Sequence, residues 1–155
     1  MKDKRSCAIT VEEFTTLVSR ELDLTWNEHA EFLVRAESVL SMEASWDLQP
    51  GSCAYYADEE FRRVREISRE EAAALMAIAS EQIGEYSPKL SNVDVVRTIS
   101  SYRDGKLVSA WAMQALATAV DRQWIGCSNT EIKPKHYLTP HEAITIVKKF
   151  ATAIQ

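Results

Sequence analysis

Ile9-Thr10-Val11-Glu12-Glu13, Ile67-Ser68-Arg69-Glu70-Glu71 and Leu138-Thr139-Pro140-His141-Glu142 share one pattern: an aliphatic residue, a hydroxyl residue, and a glutamate three positions after the hydroxyl. This is a capping box. The hydroxyl accepts the N3 amide of a new helix, and the glutamate reaches back to the N-cap amide. The aliphatic residue stands where a hydrophobic staple begins, so its partner is Phe14, Ala72 or Ala143. Pro140 falls at the first helical position, where its missing N–H costs nothing. Each start leads into apolar residues at steps of three and four: Phe14, Leu17, Val18 and Leu22; Ala72, Leu75, Met76, Ala79 and Ile83; Ala143, Ile146, Val147, Phe150, Ala151 and Ile154. The spacing predicts three helices that each bury one stripe. Recurrence of cap, staple and stripe together marks an internal repeat.

A second phrase pairs with the first. Trp26-Asn27-Glu28-His29-Ala30 opens a segment that reaches Val39-Leu40-Ser41, and Trp111-Ala112-Met113-Gln114-Ala115 opens one that reaches Trp124-Ile125-Gly126. Helical spacing puts each Trp and the following Ala on one face, which makes Trp26 and Trp111 core or groove walls. A loop with a breaker follows in both, Pro50-Gly51 in one and Lys133-Pro134 in the other. The predicted unit is helix, loop, capped helix. Residues 1–155 then form a single helical domain, divided into a capped half-repeat (1–24) and two repeats (25–85 and 86–155). Between the repeats, Ser87-Pro88 ends a helix and Asp104-Gly105 makes a turn, while Val93 to Ser100 fits either a short helix or an extended linker. The charged run Asp58 to Arg65 predicts a short solvated helix or a docking face for a protein. Apolar/polar alternation never persists, so no strand is expected and the fold class is all-α.

Composition narrows the function. The 155-residue chain is 46% hydrophobic and 26% charged with a net charge of −5, an ordinary globular balance. No basic surplus exists to displace phosphate counterions, which argues against nucleic acid and anionic membrane as partners. No stretch approaches the roughly 20 apolar residues of a membrane span, so no membrane insertion is expected. The basic start Met1 to Arg5 has no apolar run behind it to make a secretory signal. The chain therefore reads as cytoplasmic or as a piece of an exported protein. Cys7, Cys53 and Cys127 show no zinc or C-x-x-C spacing. They read as small buried hydrophobes, or as one disulfide and a free thiol. His29, His136 and His141 form no metal-ligand pattern, no phosphate loop or nucleophile elbow occurs, and neither a cofactor nor catalysis is expected.

These phrases resemble the S-layer homology domain, whose repeats carry an aromatic-x-Asp start, a Trp-Ala-x-x-Ala helix, a Gly-Ile-Ile-x-Gly-like end and an Ile-Thr-Arg-Ala-Glu helix start. Tyr102-Arg103-Asp104-Gly105 matches the first, Trp111 to Ala115 the second, Trp124-Ile125-Gly126 the third and Leu138 to Glu142 the last. The middle copy keeps Trp26, Ala30 and Ile67 to Glu71. The resemblance implies a helical bundle in a pseudo-threefold arrangement, with grooves between repeats that hold a pyruvylated cell-wall polysaccharide. It implies glycan-binding roles for Arg69, Asp104 and Trp111: a guanidinium fork suits an acid group, and an aromatic ring packs on a sugar face. Only Arg69 keeps the motif arginine, since Val11 and Pro140 stand at the matching positions. That loss leaves an alternative, an intracellular protein-interaction or inhibitor module on the same scaffold. Arg69 also has a plain reading as an exposed surface arginine, though at a helix N-terminus a cation sits against the dipole. Asp104 has one as a turn residue.

Overall fold

The computed structural model describes residues 8–47, 66–84, 90–126 and 130–154. Six α-helices carry these segments: α1 (Val11–Glu21), α2 (Trp26–Asp47), α3 (Arg69–Gln82), α4 (Asn92–Ser100), α5 (Met113–Asp121) and α6 (Pro140–Ile154). Two short 3-10 turns, Gly105–Leu107 and Ala110–Ala112, precede α5. No strand occurs among the described residues, and two isolated antiparallel bridges, Thr10 with Glu66 and Ser68 with Tyr137, are the extended pairings they show. Val93 to Ser100 is helical, which resolves the choice left open by its pattern. Asp58 to Arg65, Pro50-Gly51, Ser87-Pro88 and all of Cys7, Cys53 and Cys127 lie outside the described residues.

All three expected capping boxes form. Thr10, Ser68 and Thr139 accept the amides of Glu13, Glu71 and Glu142 at 3.1, 3.3 and 3.1 Å, and those glutamates accept the cap amides at 3.0, 2.9 and 3.0 Å. The staple residues Ile9, Ile67 and Leu138 are buried, as are their partners Phe14, Ala72 and Ala143. A fourth box, unmarked in the sequence reading, starts α2: Thr25 accepts from Glu28 at 3.2 Å and Glu28 accepts from the Thr25 amide at 2.8 Å. Ser91 caps α4 through the Asp94 amide.

The three expected starts differ from the others in what precedes them. The Ile9 amide donates to the Leu138 carbonyl at 2.8 Å, the Leu138 amide to the Ile67 carbonyl at 3.0 Å, and the Ile67 amide to the Ile9 carbonyl at 3.1 Å. The bonds close a ring in which each staple residue gives one bond and takes one. Backbone polar groups that enter the core must be paired, and here they pair with one another. The ring joins the N-termini of α1, α3 and α6, and their buried stripes run from it into one continuous core. Helix α3 is central and packs against α1, α2 and α5. Its small residues Ala72, Ala73, Ala74 and Ala79 are all buried, which lets neighbours approach closely.

Trp26 departs from expectation. It is 81% exposed rather than a core or groove wall, and Ala30 is exposed beside it. The α2 capping box explains this. Trp26 is the first helical residue, one position after the cap, and the buried face of α2 runs through Phe32 and Ala36 instead. Helix α2 also continues unbroken to Asp47, past Val39-Leu40, whereas α5 stops at Asp121 and Trp124-Ile125 follow it. The two Trp-led segments are therefore not equivalent.

Helices α1 and α5 end alike. Asp23 and Gln123 adopt left-handed backbone (φ 56° and 65°), and the following amides, of Leu24 and Trp124, donate back to Ser19 and Ala119 at 3.0 and 2.9 Å. These are Schellman ends, where glycine is usual. Gly84 takes the same conformation (φ 79°) after α3. Gly105 is required for a different reason: a Cβ there would lie 2.2 Å from the Ile99 carbonyl oxygen.

Two stability changes follow. Gln123→Gly should stabilise the fold by up to about 1 kcal/mol, because it removes the side-chain penalty of left-handed backbone. Gly105→Ala should cost about 1–3 kcal/mol through overpacking against rigid backbone. Urea denaturation midpoints that move in the opposite directions would contradict both assignments.

Candidate functional site at the start of the central helix

The segment 130–137 crosses the N-terminus of α3 and supplies acceptors that a helix start ordinarily takes from water or a ligand. The Arg69 amide donates to the His136 carbonyl at 2.9 Å and the Glu70 amide to the Pro134 carbonyl at 3.0 Å. The Arg69 guanidinium is drawn into the same arrangement. Its Nε donates to the Ile132 carbonyl at 2.9 Å, and its Nη2 donates to the Gly126 carbonyl. Arg69 is 9% exposed, so it is not a free surface arginine. Its place against the helix dipole has a physical reason: the fork ties the chain leaving α5 and the returning segment to the central helix.

Asp104 holds the same segment from the other side. Its Oδ1 accepts the Ile132 amide at 2.9 Å and its Oδ2 the Lys133 amide at 2.8 Å. Ile132 thus gives its carbonyl to Arg69 and its amide to Asp104. Lys133 is left-handed (φ 58°), a strained conformation for lysine that the paired carboxylate contacts stabilise. Partial burial works against the charged form of Asp104. The amides of Ile132 and Lys133, its own amide and the Arg103 guanidinium outweigh that and hold the carboxyl below its usual value.

Glu70 was not singled out by the sequence, where it is one more acid in a first turn. It is fully buried. Its Oε1 accepts the Ser109 amide at 2.9 Å, and its Oε2 accepts the Ser109 hydroxyl at 2.7 Å and Lys135 Nζ at 2.8 Å. Lys135 also donates to Ser109 Oγ at 2.5 Å. A buried carboxylate is tolerable only when paired and hydrogen-bonded, and this one is both. Trp111, half-buried, belongs to the 3-10 turn that starts one residue after Ser109. Arg69, Asp104 and Trp111 are therefore gathered at one end of α3, joined through Ile132, Lys135 and Ser109. Around them Arg103, Lys106, Lys133, His136 and Tyr137 are exposed, and the Lys135 side chain is 55% exposed.

A separate groove of about 420 Å³ lies between α1 and α6, walled by Ile9, Leu17, Pro140 and Ile144 and edged by Glu12 and Arg20. Pro140 stands there at the position Arg69 has in α3, so nothing equivalent to that fork is present. Among the described residues no group of His, Cys, Asp and Glu could hold a metal ion, and no helix is long and apolar enough to cross a membrane.

Arg69→Met should destabilise the fold by about 3 kcal/mol, since two charge-assisted bonds to carbonyls disappear and the carbonyls stay buried. Denaturant unfolding with an unchanged midpoint would refute that structural role. The Asp104 carboxyl is more acidic folded than unfolded. Its contribution is therefore complete above about pH 4, the ordinary aspartate value, and is lost as pH falls through the lower folded value. The stability gap between wild type and Asp104→Asn should be wide at pH 7 and narrower at pH 2.

No family model, no curated protein and no solved structure matches this chain.

Proposed function

We propose that this chain is a non-catalytic binding module, resembling S-layer homology repeats in a pseudo-threefold bundle, that attaches to an acidic, pyruvylated cell-wall polysaccharide. The observation that carries the reading is the closed ring of backbone bonds among Ile9, Ile67 and Leu138. A head-to-tail cycle of three equivalent contacts, each followed by the same capped helix, is the arrangement that three related units around one axis produce. The convergence of Arg69, Asp104 and Trp111 on one segment supports the site. In this reading the buried Arg69 fork and the Asp104 carboxylate shape the 130–137 segment. Its exposed Lys133, Lys135 and His136 meet the ligand's acid groups, and Trp111 packs on a sugar face. Such a module works at the cell surface.

A second reading, a cytoplasmic protein-interaction or inhibitor module that has lost glycan binding, draws on two observations. The Arg69 fork already donates to two carbonyls, and Trp26 and Val34, eight residues apart on α2, are 81% and 68% exposed. Spacing of that kind puts them on one face.

Sedimentation with purified cell walls separates the two. Wild type should pellet with pyruvylated walls and not with walls stripped of pyruvate. Trp111→Ala and Lys133→Glu should each cut the bound fraction about tenfold, the loss of one aromatic or charged contact. Failure of wild type to sediment above background would end the glycan reading. The second reading would then require Trp26→Ser to abolish binding to a purified protein partner.

A further inference from the structure

A second cationic feature stands apart from the Arg69 end. Arg122, Trp124, Lys148, Lys149 and Thr152 line a groove of about 470 Å³ where the chain leaves α5 and crosses α6. Three cations border it, and no acid does, in a chain whose net charge is −5. Helix α6 carries one acid, Glu142, in its first turn, so Lys148 and Lys149 have no carboxylate three or four residues away along their helix. Both lysines are exposed. Like charges gathered in this way repel one another, a cost that a bound anion would remove.

The groove is also rigidly built. The Schellman end at Gln123 fixes Arg122 and Trp124 on either side of a left-handed residue. The Trp124 ring packs edge-on against Phe150 with centroids 4.8 Å apart, and the Arg122 guanidinium lies 5.8 Å from its centre. Trp124 is 4% exposed, and its indole N–H is buried without an acceptor among the described residues. The chemistry of the wall is thus a guanidinium fork, two ammonium groups, a hydroxyl and an indole donor that no protein acceptor satisfies. A donor-rich, positively charged wall selects an oxyanion.

We propose that this groove between the α5 end and α6 is an oxyanion-binding site, taking a phosphate or carboxylate group of a ligand. It is independent of the glycan reading, because it shares no residue with the 130–137 segment. The test uses the full chain labelled with ¹⁵N at low ionic strength, titrated in separate arms with inorganic phosphate and with pyruvate. Saturable shifts are expected at the amides of residues 122–124 and 148–152 and at the Trp124 indole, with a Kd of about 1 mM, the affinity of a few polar contacts. Lys148→Glu with Lys149→Glu should weaken binding about tenfold or more by reversing two nearby charges, and the milder Lys148→Gln with Lys149→Gln should weaken it less. Lys133→Glu should leave it unchanged. Response in one arm alone identifies which oxyanion the site takes. No saturable shift with either probe up to about 50 mM, or equal binding by the charge-reversed variant, overturns the proposal.

Discussion

Three backbone hydrogen bonds hold this architecture together. The amides and carbonyls of Ile9, Ile67 and Leu138 would be orphans wherever their side chains are buried, because an extended residue entering a helix core has no neighbour of its own to bond. The cyclic exchange answers all of them at once. It also dictates geometry. Three helices that start from one ring must diverge from a common point, so their apolar stripes face inward and meet. Burial of the staple residues and formation of the ring are a single event: loss of one residue's register would unpair two others.

The same logic builds the surface at the other side of α3. A helix start exposes amides, and the segment 130–137 covers those of Arg69 and Glu70 with its carbonyls. Covering them buries a carboxylate, Glu70, and a guanidinium, Arg69. Each of these charges then needs partners, which Ser109, Lys135, Ile132 and Gly126 provide. Asp104 completes the frame by bonding two amides of the crossing segment. The result is a loop whose backbone is anchored by buried charges while its own cations remain in solvent, a pre-organised display of polar groups.

Much of this was legible along the chain. Cap, staple and stripe are local or helically periodic, and a hydroxyl three residues before a glutamate does the same thing in any fold. Helix starts at Val11, Arg69 and Pro140 and the buried stripes below them could be read directly. The reading was too selective, however. Leu24-Thr25 with Glu28, and Leu90-Ser91 with Asp94, carry nearly the same phrase and also cap helices, yet neither joins the ring. Trp26 shows the cost of missing the α2 cap: a helix register taken from Trp-to-Ala spacing put an exposed first-turn residue into the core. Arg69 was seen as a misplaced cation, but its partners come from residues 126 and 132, which no local pattern connects to residue 69.

The sequence by itself determined where helices begin, which face each one buries, and that Gly105 and the caps stand at turning points, because those outcomes depend on groups within about one helical turn of each other. Only the tertiary structure decided which three of the capped starts share a ring, and why Gly105 in particular tolerates no side chain against Ile99. It also turned Glu70 and Arg69 from first-turn charges into buried anchors of a distant loop. Those outcomes depend on desolvation and on partners far away in sequence. The free energy of a buried charge is set by what surrounds it, and its surroundings exist only once the chain has folded.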